Sequence, residues 1–365
     1  MKRQRGFFVG CATTAVTAVF VFNAPVTGAD EPPPLANTGY ILGGARDALV
    51  ERDAPALTTL GVAAVSITGD GADVEEPTAG TVRLVTTAHD NGLRAELLVS
   101  NYRDEVGDFD SRAARRLLRN DDHVRAVAEK LAGFAVDQGW DGLTVDLESL
   151  AEGDGPGLVL LVQELQARMP EERTVSIDLQ ASTSVDGYRQ GGYRLAEIAE
   201  AADVVALMTY DLHGPTWSGP GPIGPLAWQR STLEALFTAV PREKVDLGVA
   251  GYGYTWPKGR VGRSLTVKGA RNVVKKDGAT AVWKAKAGEW RAVLSNGTVV
   301  WWSDGRSYEA REQLAQELGV HGLALWRLGS ADPLAEEGPP DQPTVTPNNA
   351  PNRYVAPAAA TPTAS

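Results

Sequence analysis

Short apolar segments recur along the chain and alternate with longer amphipathic ones. Each apolar segment is rich in Val, Leu, Ile or Ala and is bounded by Gly, Asp, Asn or Pro, as buried parallel strands are. They are GYILGG from Gly39, VAAVSI from Val62, AELLVS from Ala95, GLTVDL from Gly142, TVSIDL from Thr174, VVALMTY from Val204, VDLGVAG from Val245 and GLALWRL from Gly322. Apolar residues at i, i+3 and i+4 predict helices within 111–137, 158–169, 193–201, 228–240 and 308–318.

Eight strands that alternate with helices predict an α/β protein of the (β/α)₈ TIM-barrel type. A doubly wound open sheet is the alternative, but no G-x-G-x-x-G motif follows the first strand. The interval between the seventh and eighth segments is the longest. Residues 256–305 contain AVWKAKAG, EWRAVLSNG and TVVWWSDG with turn signals between them, which predicts a small β-rich insertion beside the barrel mouth.

The two ends of the chain differ in composition from the rest. A basic start (MKRQRG), an apolar stretch and the small-residue segment NAPVTGAD predict a secretory signal peptide over residues 1–29. An uncleaved membrane anchor is the alternative, and too few apolar residues precede Cys11 for a lipidation site. Residues 339–365, rich in Pro, Ala and Thr, predict a disordered tail. We therefore expect a secreted domain over residues 35–334, acting outside the cell or in the cell-wall space.

Composition and charge narrow the class of function. The 365 residues carry 35 Lys plus Arg and 46 Asp plus Glu, a net charge of −11, which argues against nucleic-acid binding and against docking on an anionic membrane. Cys11 is the single cysteine, so a cysteine-based zinc site is excluded. The four histidines form no paired metal-binding motif. We predict no metal, no cofactor, no nucleic-acid partner, no membrane association after signal cleavage, and a monomer.

Candidate chemistry lies at the end of the fourth apolar segment, DGLTVDLE. Side chains alternate along a strand, so Thr144, Asp146 and Glu148 share one face and apolar residues occupy the other. If helices cover the apolar face, the carboxyl groups point into the barrel. Burial and mutual repulsion then raise one pKa, which is what a general acid requires. The alternative is a pair of solvated carboxylates in the loop after the strand.

At this point the residues resemble a known family. DGLTVDLE resembles the D-x-x-D-x-D-x-E signature of glycoside hydrolase family 18, the chitinases and endo-β-N-acetylglucosaminidases. Met208 to Asp211 resembles that family's M-x-Y-D motif, and Trp326 stands where the family places an aromatic floor under the sugar. The stretches YDLHGPTWSGPGPIGPL, GVAGYGYTW and VVWWSDGRSYEAREQLA resemble a bacterial branch of spore-cortex and cell-wall lytic enzymes.

The resemblance implies a role for each matching residue. Glu148 is the general acid and then the general base, while the 2-acetamido group of the substrate replaces a protein nucleophile and configuration is retained. Asp146 orients the acetamido group and stabilises its developing charge. Tyr210 hydrogen-bonds the acetamido oxygen, and Asp211 contacts the sugar or its acetamido group. Trp326 stacks on the pyranose ring.

Two positions of the signature have other roles. The second aspartate of the family motif is Thr144 here, and in the family that aspartate helps to set the charge of the next one. A threonine hydroxyl can hydrogen-bond Asp146 but cannot share its negative charge, so the substitution bears on turnover and on the pH optimum. Asp141, at the start of the motif, is expected to have a structural role by bonding nearby backbone groups.

Further substrate contacts are expected where other strands end at the barrel mouth. Met208 belongs to the M-x-Y-D motif, Asn101 follows the third segment, and Asp178 and Gln180 end the fifth. Tyr252, Tyr254 and Trp256 follow the seventh segment, and one of these aromatic residues, with Tyr252 as the candidate, is expected to contact sugar.

The sequence thus predicts a secreted glycosidase that cleaves β-1,4 bonds next to N-acetylglucosamine. The polymer is chitin, a chitooligosaccharide or the glycan strand of peptidoglycan. One alternative is a chitinase-like lectin that binds the polysaccharide without turnover, although such lectins usually lack the acid glutamate that Glu148 provides. Another is a barrel glycosidase that uses the ordinary pair of carboxylates.

Overall fold

The computed structural model describes residues 34–334. Within that range eight parallel strands close into a barrel, and each runs beside its neighbour in chain order. The barrel strands are β1 (Ala36–Leu42), β2 (Thr59–Ser66), β3 (Arg94–Ser100), β6 (Gly142–Asp146), β7 (Thr174–Gln180), β8 (Val204–Met208), β9 (Val245–Ala250) and β15 (Gly322–Trp326). Each predicted apolar segment forms one of these strands, and the TIM-barrel prediction is confirmed. The predicted signal peptide and the predicted tail lie outside the described residues.

Helices connect the strands around the barrel. They are α1 (Asp47–Asp53), α2 (Ala79–Asp90), α3 (Ser111–Leu118), α4 (Asp121–Gln138), α5 (Gly155–Arg168), α6 (Val185–Gln190), α7 (Leu195–Ala201), α8 (Leu226–Leu236) and α10 (Gly305–Leu318). The predicted helical segment 111–137 is divided at Asn120, whose side chain accepts hydrogen bonds from the first amides of α4. Within residues 34–334 we find no helix with the length and apolarity needed to span a bilayer.

The two faces of the barrel strands are chemically different. On β6, Leu143 and Val145 face outward and belong to the large apolar core between strands and helices. Thr144 and Asp146 face inward, and so do polar residues of the neighbouring strands. The barrel interior is therefore lined in part by buried polar and acidic groups, which need hydrogen-bond partners or shifted pKa values to be tolerated.

A second sheet is inserted between β9 and β15, as predicted. Its five antiparallel strands pack in the order β11-β10-β14-β13-β12. They are β10 (Tyr252–Trp256), β11 (Ser264–Thr266), β12 (Val282–Lys284), β13 (Glu289–Val293) and β14 (Val299–Trp302), with helix α9 (Val267–Asp277) packed beside them. The sheet begins at Tyr252, earlier than the predicted start at 256, because β10 follows β9 with one glycine between them. Helix α9 was not predicted.

A buried ion pair joins this sheet to the barrel. Glu289 on β13 lies 3.2 Å from Arg311 on α10, and both side chains are almost completely buried. Glu289 also accepts hydrogen bonds from the backbone amides of Ile223, at 2.7 Å, and Gly224, at 2.8 Å. Arg311 donates to the carbonyl of Gly224 at 2.6 Å. The pair therefore fixes the loop that precedes α8 (the 212–225 loop).

The loop after β3 completes the mouth of the barrel. It contains two short strands, β4 (Tyr102–Arg103) and β5 (Asp108–Phe109), which pair as a small hairpin. The rings of Tyr102 and Phe109 meet edge to face across this hairpin, with 5.6 Å between their centroids. This contact places Phe109 beside the cleft described next.

Candidate active site

A cleft of about 550 Å³ opens at the carboxyl ends of β6, β7 and β8. Its walls include Glu148, Gln180, Met208, Tyr210 and Asp211. The strands that carry these residues are neighbours in the barrel, so residues far apart in sequence meet at one end of it. The fold thus brings together five of the residues that the sequence predicts for the site.

Glu148 combines access to the cleft with a carboxyl group that holds its proton. Burial raises its pKa from the ordinary value to about 8, and the nearby charge of Asp146 acts in the same direction. Gln180 opposes this shift by donating from Nε2 to Glu148 Oε2 at 2.6 Å. Glu148 is therefore mostly protonated at neutral pH, as a general acid must be.

Asn101 holds the backbone of Glu148 and does not face the cleft. Its Oδ1 accepts from the Glu148 amide at 2.8 Å, and its Nδ2 donates to the Glu148 carbonyl at 2.9 Å. The side chain of Asn101 is completely buried, so the predicted substrate contact of this residue is wrong. Its position at the end of β3 is as predicted, but it clamps the neighbouring strand end instead.

Asp146 lies below Glu148 and is buried. Its Oδ1 has no hydrogen-bond partner within the described chain, and Ser100 is its neighbour in register on β3. Burial raises the pKa of Asp146 well above its usual range, and the charge of Asp178 adds to the effect. An unpartnered buried carboxyl oxygen is costly, so this group is either protonated or ready to receive a donor from a ligand.

Thr144 contacts a carboxyl group that the sequence analysis missed. Its hydroxyl donates to Glu96 Oε2 at 3.0 Å, whereas the expected partner was Asp146. Thr174 donates to the other oxygen of Glu96 at 2.5 Å. Burial raises the pKa of Glu96, and these hydroxyl donors lower it. The alternation of side chains in AELLVS already placed Glu96 on the inward face, so the same rule could have found it.

Asp178 is not a residue of the barrel mouth. It lies on β7, is almost completely buried, and accepts a hydrogen bond from the hydroxyl of Tyr40 on β1 at 2.8 Å. Burial raises the pKa of Asp178 above its usual range, and the hydrogen bond from Tyr40 works against that shift. The structure places Asp178 inside the barrel on β7, next to the strand that carries Asp146, where the predicted contact with substrate has no support.

Asp211 is held by two tyrosines of the added sheet. Tyr252 and Tyr254 both donate to its Oδ1, at 2.6 and 2.9 Å. Tyr252 is buried, its hydroxyl holds Asp211, and it does not line the cleft, so its predicted contact with sugar has no support in this structure. Asp211 itself has a φ of 60°, in the left-handed region that aspartate tolerates better than most residues. The second carboxyl oxygen of Asp211 remains available to the cleft that this residue lines.

The remaining motif residues lie at the two ends of the barrel. Trp326 ends β15 and is half-buried, and its ring lies 5.8 Å from that of Tyr40. Asp141 lies at the opposite end, where it accepts from His89 Nε2 at 2.7 Å and from the amide of Ala95 at 2.8 Å. Asp141 therefore ties β3 to the start of β6 and is remote from the cleft.

We expect the Gln180→Leu variant to move the basic limb of the kcat–pH profile to higher pH. Glutamine Nε2 stabilises the ionised form of Glu148, so its loss raises the pKa of this acid above its present value of about 8. Because a general acid must be protonated, activity should persist to higher pH. Measuring kcat from pH 5 to 10, on a substrate that the parent protein cleaves, tests this. An unchanged basic limb would show that Gln180 does not control Glu148.

A buried carboxyl with a raised pKa, a second carboxyl beneath it, and a tyrosine at the mouth of a parallel barrel suit a glycosidase that uses general acid catalysis. Within residues 34–334, no group of His, Cys, Asp or Glu side chains is arranged to bind a metal ion.

Comparison with known proteins agrees with this class. The family model "Glycosyl hydrolases family 18" matches residues 86–331. A glycosylase of Bacillus subtilis, YvbX, is 24% identical over 256 residues, which cover 67% of this chain and 74% of the relative. The cortical fragment-lytic enzyme of the same organism is 25% identical over 76% of this chain and 66% of its own length. The chain belongs to glycosyl hydrolase family 18 and is a glycosidase of that family.

Solved structures support the same fold. The Bacillus cereus spore cortex-lytic enzyme SleL superposes with a TM-score of 0.73 at 21% identity, over 82% of this chain and 72% of that one. A class V chitinase from Pseudomonas fluorescens gives 0.75 at 20% identity, over 82% and 97% of the two chains. The resemblance that the three sequence motifs indicated is thereby confirmed.

Proposed function

We propose that the protein hydrolyses β-1,4 linkages next to N-acetylglucosamine, with the acetamido group of the substrate acting as nucleophile. The observation that carries this proposal is the pairing of a cleft-lining Glu148, whose pKa is about 8, with a buried Asp146 that has an unpartnered oxygen. Such a reaction requires a general acid at the glycosidic oxygen and a second carboxyl group beside the acetamido group of the sugar. We assign these two roles to Glu148 and Asp146.

The proposed reaction begins with proton transfer from Glu148 to the glycosidic oxygen. The acetamido carbonyl attacks the anomeric carbon as the leaving group departs, and Asp146 stabilises the positive charge on the acetamido nitrogen. Tyr210 holds the acetamido oxygen in position for attack. Glu148, now ionised, then takes a proton from water, which opens the cyclic intermediate with net retention of configuration.

The alternative route through a protein nucleophile is less well supported. Glu148 and Asp211 are the carboxyl residues lining the cleft. Two tyrosine hydroxyls donate hydrogen bonds to one oxygen of Asp211. These bonds draw electron density from the carboxylate and make it a weaker nucleophile. Asp146 lies too deep for direct attack, because its side chain is almost completely buried. The geometry therefore favours the acetamido group over a carboxylate of the protein.

A lectin without turnover is the other alternative. Binding alone needs no protonated acid, yet burial places Glu148 at a pKa of about 8 at the cost of stability. The amide of Gln180 and the two bonds from Asn101 hold this one residue in place. The hydrogen bonds and the raised pKa that fix the position and the protonation of Glu148 therefore favour catalysis over binding alone.

The proposed polymers are chitooligosaccharides and the glycan strand of peptidoglycan, encountered outside the cell after export. One relative is named a cortical fragment-lytic enzyme, and one solved neighbour is a class V chitinase of tobacco in complex with NAG4, matched at 18% identity and a TM-score of 0.71. Both names fit a cleft that recognises N-acetylglucosamine, which is the sugar that the two polymers share.

We expect a GlcNAc-thiazoline, a mimic of the cyclised intermediate, to inhibit competitively. Its ring nitrogen should meet the free Oδ1 of Asp146, while its sugar occupies the cleft beside Tyr210. Inhibition constants would be measured with chitooligosaccharide and with purified peptidoglycan as substrates, which also identifies the polymer that is cleaved faster. If the enzyme is active but is not inhibited by the thiazoline, the two-carboxylate route would be favoured instead.

A further inference from the structure

The substitution at Thr144 leaves Asp146 without the carboxyl partner that the family signature supplies on the same strand. Thr144 is turned toward Glu96, to which it donates at 3.0 Å, and so it gives Asp146 no replacement. Asp146 Oδ1 is buried with no partner in the described chain. A buried carboxyl that is protonated at rest must lose its proton to stabilise a transient positive charge, so it needs a nearby group that accepts this proton.

The neighbouring strand brings a carboxyl group to Asp146. In the β6–β7 ladder Thr144 pairs with Ser176 and Val145 pairs with Ile177. The same register places Asp178 beside Asp146 one position further along. Paired strands lie about 4.8 Å apart, and residues of equal register point to the same side. Both aspartates face the barrel interior and are almost completely buried.

We propose that Asp178 is the proton-sharing partner of Asp146, so that a carboxyl on β7 performs the role that the family signature assigns to the position of Thr144. Asp178 acts through Asp146 and is therefore a positioning residue, which touches neither the sugar nor the scissile bond. This inference rests on the proposed substrate-assisted reaction.

The proton moves between two oxygens without changing the total charge. In the resting enzyme one proton is held by Asp146, and Asp178 carries the negative charge, which the hydroxyl of Tyr40 stabilises through Oδ1. As the acetamido nitrogen becomes positive, the O–H bond at Asp146 breaks and one forms at Asp178 Oδ2. The negative charge thereby moves from Asp178 to Asp146, next to the new cation. The return transfer follows hydrolysis.

Other groups around Asp178 are compatible with a single shared proton. Those near enough to interact electrostatically are Tyr40 of β1, Glu96 of β3, Asp146, Glu148, Tyr193, Tyr210 and Asp246 of β9. All are neutral or acidic, so no cation neutralises the pair from these positions. Two carboxyl groups at equal register on neighbouring strands repel each other when both are ionised in a buried site, which favours one proton for the pair, as in the paired carboxyls of aspartic proteases.

The Asp178→Asn variant tests the proposal. We expect kcat on an aryl chitobioside to fall by about tenfold to hundredfold, with KM nearly unchanged. Without Asp178 the negative charge rests on Asp146, closer to Glu148, so the basic limb of the kcat–pH profile should move to higher pH. A kcat within threefold of the parent with an unshifted profile would overturn the proposal.

Asp246→Asn is the matched control. Asp246 is also a buried inward-facing aspartate, but its partner is His321, at 2.7 Å. Its variant should shift the pH profile much less than Asp178→Asn does, even if its melting temperature falls. If both variants lose activity equally with no change of profile, Asp178 has only a structural role and the proposal fails.

A rescue variant and a titration complete the test. In the Asp178→Asn background, Thr144→Asp combined with Glu96→Gln returns the carboxyl to β6 and should recover at least about tenfold of the lost kcat. If Asp178→Asn does not fold, ¹³C-aspartate NMR of the parent protein should show two carboxyls that share one proton from pH 5 to 8. Two independent titrations would refute the pair. This titration needs no substrate, so its outcome is separate from that of the proposed function.

Discussion

Replacing Glu148 with glutamine should lower kcat on an aryl chitobioside by at least about 10²–10⁴-fold while oligosaccharide binding persists. Glutamine keeps the shape and the bond partners of Glu148 but has no proton to give to the leaving oxygen. Steady-state kinetics and calorimetric titration with chitotetraose measure the two effects separately. Glu152→Gln, which changes an exposed glutamate nearby, is the control and should behave as the parent.

The same variant should be at least as stable as the parent at neutral pH. The folded protein holds the Glu148 proton up to about pH 8, whereas an exposed glutamate in the unfolded chain releases it near pH 4.3. Stability at this site therefore falls as pH rises from about 4.3 to 8. Melting curves across that pH range should show that the melting temperature of the parent falls relative to that of the Glu148→Gln variant. Undiminished hydrolysis by a folded Glu148→Gln protein would end the assignment of Glu148 as the acid.

The Asp146→Asn variant should lose about 10²–10³-fold in kcat, with a smaller change in KM. An amide in this position is neutral throughout the reaction, so the positive charge on the acetamido nitrogen loses its counter-charge. Because the intermediate gains charge and the ground state does not, the loss falls on kcat. Affinity for the thiazoline should fall in parallel with kcat, which a general loss of folding would not produce.

Asp141→Asn provides the matched control for that variant. Asp141 belongs to the same signature and the same strand region, but it binds His89 and the amide of Ala95 at the far end of the barrel. Its replacement should lower the melting temperature and leave kcat within a few-fold of the parent. Equal losses of kcat in the two variants would mean that Asp146 contributes structure and not charge stabilisation.

Local patterns in the sequence were sufficient to predict the barrel. Alternation and apolar clustering identify all eight strands, because a buried parallel strand shows its environment in its own residues. The same alternation places Asp146 and Glu148 on the inward side, and the structure has both there or at the mouth. Motifs carried on single strands are therefore readable without tertiary information.

Contacts between strands were not predictable in this way. Asn101 stands at a strand end, where substrate contact is usual, yet its two hydrogen bonds to Glu148 depend on how β3 lies beside β6. Tyr252 was expected to face sugar, but the antiparallel sheet it begins directs its hydroxyl to Asp211. Each depends on a partner more than 40 positions away, and no periodicity within one segment encodes such a pairing.

The ion pair of Glu289 and Arg311 affects the order in which parts of the chain can fold. The 212–225 loop beside the cleft is held by Glu289, which in turn needs Arg311 as its counter-charge. Until Arg311 packs against it, Glu289 would be a lone charge that resists burial. We therefore expect the entrance to the cleft to be completed together with closure of the barrel, because β15, which closes the barrel, directly follows α10 in the chain.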